Sequence, residues 1–124
     1  MPRFSRISKA RLLTCHSDLQ RLMNEVIKHI DITVFEGRRG EQKQNEYFDS
    51  GASELRWPDG NHNKNPSTAV DIVPYPLDWD DIERFRDQAH FVKGVAAGMG
   101  IGIVSGGLEW TTLKDWPHFE LKDE

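Results

Sequence analysis

The 124-residue sequence predicts an α+β domain in which a short, mainly antiparallel sheet is flanked by helices. Three observations predict it. Two stretches carry apolar residues at helical spacing, four shorter stretches carry strand-like apolar or β-branched runs, and the two kinds occur in mixed order. At this length one hydrophobic core is expected, and residues 1–124 read as a single domain with no repeat, linker or low-complexity tract.

The first helix is expected from Ser17 to Ile30. Leu19, Leu22, Met23, Val26, Ile27 and Ile30 share one face, and Ser17 with Gln20 has the pattern of a capping box. "DITVFEG" follows as a β-branched strand ending at Gly37, and "GEQKQNEYFDSG" as a short polar helix closed by Gly51. Residues 52–68, rich in Asn, Pro, Gly and Ser, read as a loop. A strand at 69–74 is stopped by "PYP", because proline has no N–H for a ladder. A second amphipathic helix is expected from about Trp79 to Met99, with Ile82, Phe85, Ala89, Val92, Ala96 and Met99 as its apolar stripe and His90 as an ordinary boundary residue. "GMGIGIVSGG" reads as a turn into a glycine-bounded strand, and "PHFEL" as a last short strand.

Charge and composition exclude several classes of partner. Sixteen Lys and Arg against twenty Asp and Glu give a net charge of −4, and the cations are scattered, so no nucleic acid is expected. No apolar run is long enough for membrane insertion. The single cysteine, Cys15, can form no internal disulfide and reads as a small buried apolar residue. "MPRFSRISKARLLTC" lacks the roughly 7–15-residue apolar core of a signal peptide, so synthesis and folding in the cytoplasm are expected.

The chemistry concentrates at two places. His62 stands in a polar loop, and Asp71 lies among Ala69, Val70, Ile72 and Val73, where an unpaired carboxylate is costly. In "DWPHFEL", Asp115 precedes His118 by three residues. Two imidazoles and one carboxylate around a tetrahedral ion leave one position open, as in a catalytic zinc site; His62, Asp71 and His118 are the candidate ligands. Asp115 is then a candidate base for the attacking water and proton donor to the leaving amine. Asp71 equally fits a strand-end carboxylate paired with Lys or Arg.

"FEGRRGEQKQNEYF", "HNKNPSTAVDIVPYP" and "GGLEW....DWPHFEL", in that order, resemble the M15 family of zinc peptidases, and within it the phage endolysins that are L-alanyl-D-glutamate peptidases. The resemblance spans roughly residues 17–122. It implies a fold shared with D-alanyl-D-alanine carboxypeptidases and the Hedgehog signalling domain, with Zn2+ on His62, Asp71 and His118 and Asp115 as general base. It further implies that Arg39 holds substrate or polarises its carbonyl, with Gln44 beside it in the substrate-binding motif. A guanidinium suits that task, because oxyanion charge develops as water adds to an amide. Trp110, Trp116 and Tyr75 either line a groove for the peptide or pack beneath the metal loop, and Trp110 is the one taken as a substrate contact.

The sequence departs from the family pattern at Gly60, where Ser is usual, and in "VSGGLEW", where Ser105 and Leu108-Glu109 replace the usual Trp and Asp. The ligands and base are intact. The function so implied is zinc-dependent hydrolysis of the L-Ala-D-Glu bond in the peptidoglycan stem peptide by a monomer, made in the host cytoplasm and acting in the periplasm. The alternatives are a D-Ala-D-Ala carboxypeptidase and a non-catalytic zinc-stabilised binding module.

Overall fold

The computed structural model describes residues 2–112 and 114–122. In chain order the elements are α1 (Arg6–Leu12), α2 (Ser17–Val26), β1 (Ile32–Glu36), α3 (Glu41–Asp49), a single 3-10 turn (Asn61–Asn63), β2 (Ala69–Pro74), α4 (Ile82–Met99), β3 (Ile103–Ser105), α5 (Gly106–Glu109) and β4 (His118–Leu121). The strands form one antiparallel sheet in the order β1-β2-β4-β3. The expected α+β class holds.

β2 is central and buried along its whole length, which is why it reads as a continuous apolar run. Alternation along it turns Val70 and Ile72 into the main core, with Leu19, Leu22, Met23, Val26, Ala89, Val92 and Phe119, and turns Asp71 to the opposite face. Pairing then sets Asp71 beside His118 of β4 and Glu36 of β1. The β1 register shifts between Val34 and Glu36, a bulge that puts Glu36 opposite Asp71 where regular pairing would put Phe35. Three polar residues from three strands thus form one row across the sheet.

Several boundaries differ from expectation. α2 stops at Val26, and its cap is His16, whose Nδ1 accepts the Asp18 N–H at 3.0 Å. Ser17 is therefore the first helical residue, and Gln20 reaches back to the Cys15 carbonyl. α4 begins at Ile82 because Asp81 caps it through the Arg84 N–H, which leaves Trp79 outside the helix. Ile82, expected in the core stripe, is exposed, as is His90. The sequence pattern predicts no helix at α1; Ser5 caps it, and of its seven residues Ser8 and Leu12 are buried.

Candidate active site

The row Glu36–Asp71–His118 meets the 3-10 turn that carries His62 on the floor of a cleft of about 790 Å³. His62 is placed by its neighbours on both sides: the Arg39 N–H donates to its carbonyl at 2.7 Å, and Asn63 donates through Nδ2 to the Arg39 carbonyl at 3.2 Å. Asn63 Oδ1 accepts the Gly60 N–H at 2.9 Å, and a Cβ at position 60 would stand 2.8 Å from that oxygen. Gly60, the departure from the family's Ser, thus leaves room that the Asn63 side chain uses.

Both histidines have their tautomers fixed from behind. His62 Nδ1 lies 2.7 Å from the Gly37 carbonyl, which can only accept, so Nδ1 carries the proton and Nε2 presents a lone pair. His118 Nε2 lies 2.7 Å from the Glu120 carboxylate and donates to it, leaving Nδ1 as the lone pair. Asn61 holds the other oxygen of Glu120 at 2.6 Å. The two free nitrogens and Asp71 Oδ1 form a triangle with all three edges 3.2 Å.

Three buried acceptors facing one another at that distance require something positive between them. Atoms bound tetrahedrally at zinc's usual 2.0–2.1 Å stand about 3.3 Å apart, so the triangle fits such an ion. These three are the sole His/Cys/Asp/Glu cluster able to hold a metal ion among the described residues. Without a dication, protons take the place. Burial disfavours the charged His118, but hydrogen bonds to Asp71 and Glu120 outweigh it and raise the imidazole to about 9. Burial likewise opposes the Asp71 charge, yet His62 and His118 hold its carboxyl well below the usual range.

Asp115 lines the same cleft. Burial, and then repulsion from Asp71, raise its carboxyl above the ordinary value. Its backbone is tied at both ends, accepting the His118 N–H at 3.2 Å and donating to the Gly106 carbonyl at 3.3 Å. The loop can lie this close to α5 because position 107 has no side chain: a Cβ there would stand 2.2 Å from the Trp116 ring.

Arg39 is buried against the row. Its Nε and Nη2 donate to Glu36 at 3.1 and 2.7 Å, its Nη1 to Gln44 Oε1 at 2.9 Å, and Nη2 stands 3.7 Å from Asp71 Oδ2. Tyr47 covers the guanidinium, with its ring centre 4.4 Å away. Arg38, its neighbour, is exposed and lies over Trp57. Gln44 borders the cleft, with its polar atoms engaged inside the protein. It is 1% exposed, its Oε1 accepts from Arg39 and Asn63, and its Nε2 donates to Ser53 and the Leu55 carbonyl. Its part is to hold Arg39 in place.

Trp110 lines the cleft and also packs on His118, ring centres 4.7 Å apart. Trp116 lines it too, whereas Tyr75 is exposed and outside it. Glu109 is engaged with the Ser105 N–H and Lys93. Glu36 and Asn63 are the residues that sequence reasoning did not place. Glu109 and Glu120 both read from sequence as solvated acids or as partners for the other ring N–H of a candidate ligand histidine, and Glu120 is the one that meets His118.

Comparison with known proteins gives the same result over nearly the whole chain. The profile of the family described as phage L-alanyl-D-glutamate peptidase matches residues 1–122. Among solved structures, the crystal structure of Serratia marcescens L-Ala D-Glu endopeptidase ChiX is 32% identical to this chain, covers 97% of it and 90% of its own length, and superimposes with a TM-score of 0.83. With the family profile matched almost end to end, the chain belongs to the phage L-alanyl-D-glutamate peptidase family.

Proposed function

We propose that the protein is a zinc-dependent endopeptidase that hydrolyses the amide between L-alanine and D-glutamate in the stem peptide of bacterial peptidoglycan. The observation that carries this reading is the 3.2 Å triangle of His62 Nε2, His118 Nδ1 and Asp71 Oδ1 at the floor of an open cleft, with the carboxylate of Asp115 lining the same cleft.

His62, Asp71 and His118 hold the zinc; when bound it supplies Lewis acidity, making water nucleophilic near neutral pH and polarising the scissile carbonyl. Asp115 accepts the proton of the attacking water and passes it to the departing D-glutamate amine. Burial, the larger cause of its raised carboxyl, makes it a readier proton acceptor than an exposed aspartate. Arg39 uses three of its five N–H groups on Glu36 and Gln44, leaving two for the oxyanion that forms as the amide carbonyl becomes tetrahedral. Gln44 and Glu36 fix the direction in which those two point. Trp110, seated on His118, forms part of the surface met by the peptide.

In this reading the protein is a lytic enzyme, made in the host cytoplasm and acting as a monomer on the wall in the periplasm. The test is mass spectrometry of soluble products from purified Gram-negative peptidoglycan treated with the zinc-loaded protein. Stem peptides beginning with D-glutamate, with L-alanine left on the glycan, are the expected result. Release of free D-alanine alone would make the protein a carboxypeptidase, and no product would leave it a binding module.

A further inference from the structure

One side of the cleft has no part in the chemistry above. Phe35 of β1, Trp79 of the loop before α4, and Ile82 and Phe85 of its first turn line it together. The Trp79 ring is stacked on buried Phe85 (centres 5.6 Å apart, 12° between planes) and meets Phe35 edge-on at 5.7 Å. Held on two sides, it is still 50% exposed, and Phe35 and Ile82 are 40% and 43% exposed. Large apolar groups left open side by side, in a cleft that also holds the acids, Arg39 and Lys114, mark a place where something weakly polar is covered.

We propose that this wall, centred on Trp79, is a saccharide subsite that receives the sugar ring carrying the stem peptide. The proposal rests on the function proposed above and names which end of the substrate lies where. Two features of the substrate make the assignment. Beyond the scissile bond the peptide carries carboxylates and an amine, which an aromatic wall does not match. Before it there is one alanine, whose methyl is far too small to cover three exposed apolar side chains, and then the lactyl-linked sugar. At no more than about 3.6 Å per residue, the sugar begins within about 7 Å of the scissile carbonyl. A ligand cut on the cleft floor therefore brings its pyranose to a cleft wall. The C–H face of a pyranose packs on an indole face in the way that other apolar groups do, while its rim hydroxyls stay in water.

The experiment compares kcat/KM for two soluble substrates, the stem tetrapeptide alone and the same peptide attached to its disaccharide, in native protein and in Trp79→Ala and Trp79→Tyr. The native protein is expected to prefer the glycan-attached substrate. Trp79→Ala should lower the ratio of the two values about five- to tenfold, and Trp79→Tyr, which restores an aromatic face, should recover most of it. Because the free peptide is cut in the same preparation, it also reports whether each variant is folded. A ratio unchanged in Trp79→Ala, with both substrates cleaved, overturns the subsite and leaves the endopeptidase standing. Cleavage of neither substrate by the native protein overturns both.

Discussion

Replacing Glu36 with Gln removes a charge from the row on the sheet while keeping the side chain's bulk. In the native protein Glu36 takes Nε and Nη2 of Arg39 at 3.1 and 2.7 Å and also Lys43 at 3.0 Å, while Arg39 stands 3.7 Å from Asp71. Removing one partner of a buried pair ordinarily costs about 3–5 kcal/mol, because the other charge is left uncompensated. Here Asp71 is near enough to take over after a small movement, so the loss of stability in the metal-free protein should be nearer to about 2 kcal/mol. The larger effect falls on the metal. An Asp71 engaged by Arg39 is a poorer ligand, and zinc affinity should drop about 10–100-fold, as when a ligand's outer partners are disturbed. E36Q/R39Q, which also lacks the released cation, should regain most of it. Zinc competition against a chromogenic chelator measures the affinities, and urea unfolding of the chelated protein measures the stability. Native zinc affinity in E36Q, or a double variant that binds no better than the single one, would refute the reasoning. The pH dependence has a fixed sign. Burial opposes the Glu36 charge, but Arg39 outweighs it and lowers the carboxyl below its ordinary 4.5. Its stabilisation is fully present above that value and lost as pH falls through the lowered native one, so E36Q should show a shallower acid limb.

Asp115→Ala should reduce turnover by about 10²–10⁴-fold or more while zinc stoichiometry, measured by elemental analysis, stays at one; near-normal activity would remove Asp115 from the role of base. His118→Ala should lose zinc and activity together, and full occupancy in that variant would break the ligand set. Glu120→Ala frees His118 Nε2, so zinc affinity should weaken about 10–100-fold and excess zinc should restore activity; an unchanged affinity would mean that the 2.7 Å contact does not orient the ring. Burial raises the Cys15 thiol to about 11, and the residue is 2% exposed, so a thiol reagent at neutral pH should react only as fast as the protein opens. Rapid labelling of the native protein would contradict that.

The parts of this protein legible in its sequence are those fixed by local pattern. β2 reads as a strand because its six residues are all buried, and α4 reads as a helix because Phe85, Ala89, Val92 and Ala96 recur on one face. That His62, Asp71 and His118 belong together was legible for another reason, the resemblance of three ordered motifs, since nothing in the spacing of 62, 71 and 118 demands an ion. What sequence could not give is cross-strand. That Glu36 faces Asp71 depends on a bulge, and alternation alone would have put Phe35 there. Ser17 satisfies the usual capping pattern and so hides His16 as the cap, and Ile82 falls on the apolar stripe because helical spacing does not show that a helix's first turn stands at the rim of a cleft. Gln44 belongs to a motif associated with substrate, and only its four internal contacts show that it also holds Arg39.

His62 and His118 lie 56 positions apart, yet their nitrogens stand 3.2 Å apart. Any ion gripped by both is therefore a clasp on almost half the polypeptide, closing a long loop as a disulfide would in a chain whose one cysteine cannot form one. Closing such a loop restricts the unfolded chain far more than the folded one, so the ion should strengthen the fold as well as supply chemistry. A chelator would then do two things at once: silence the enzyme, and loosen the span from 62 to 118 until proteases can enter it. The lifetime of the folded protein would then be set by how firmly it keeps such an ion.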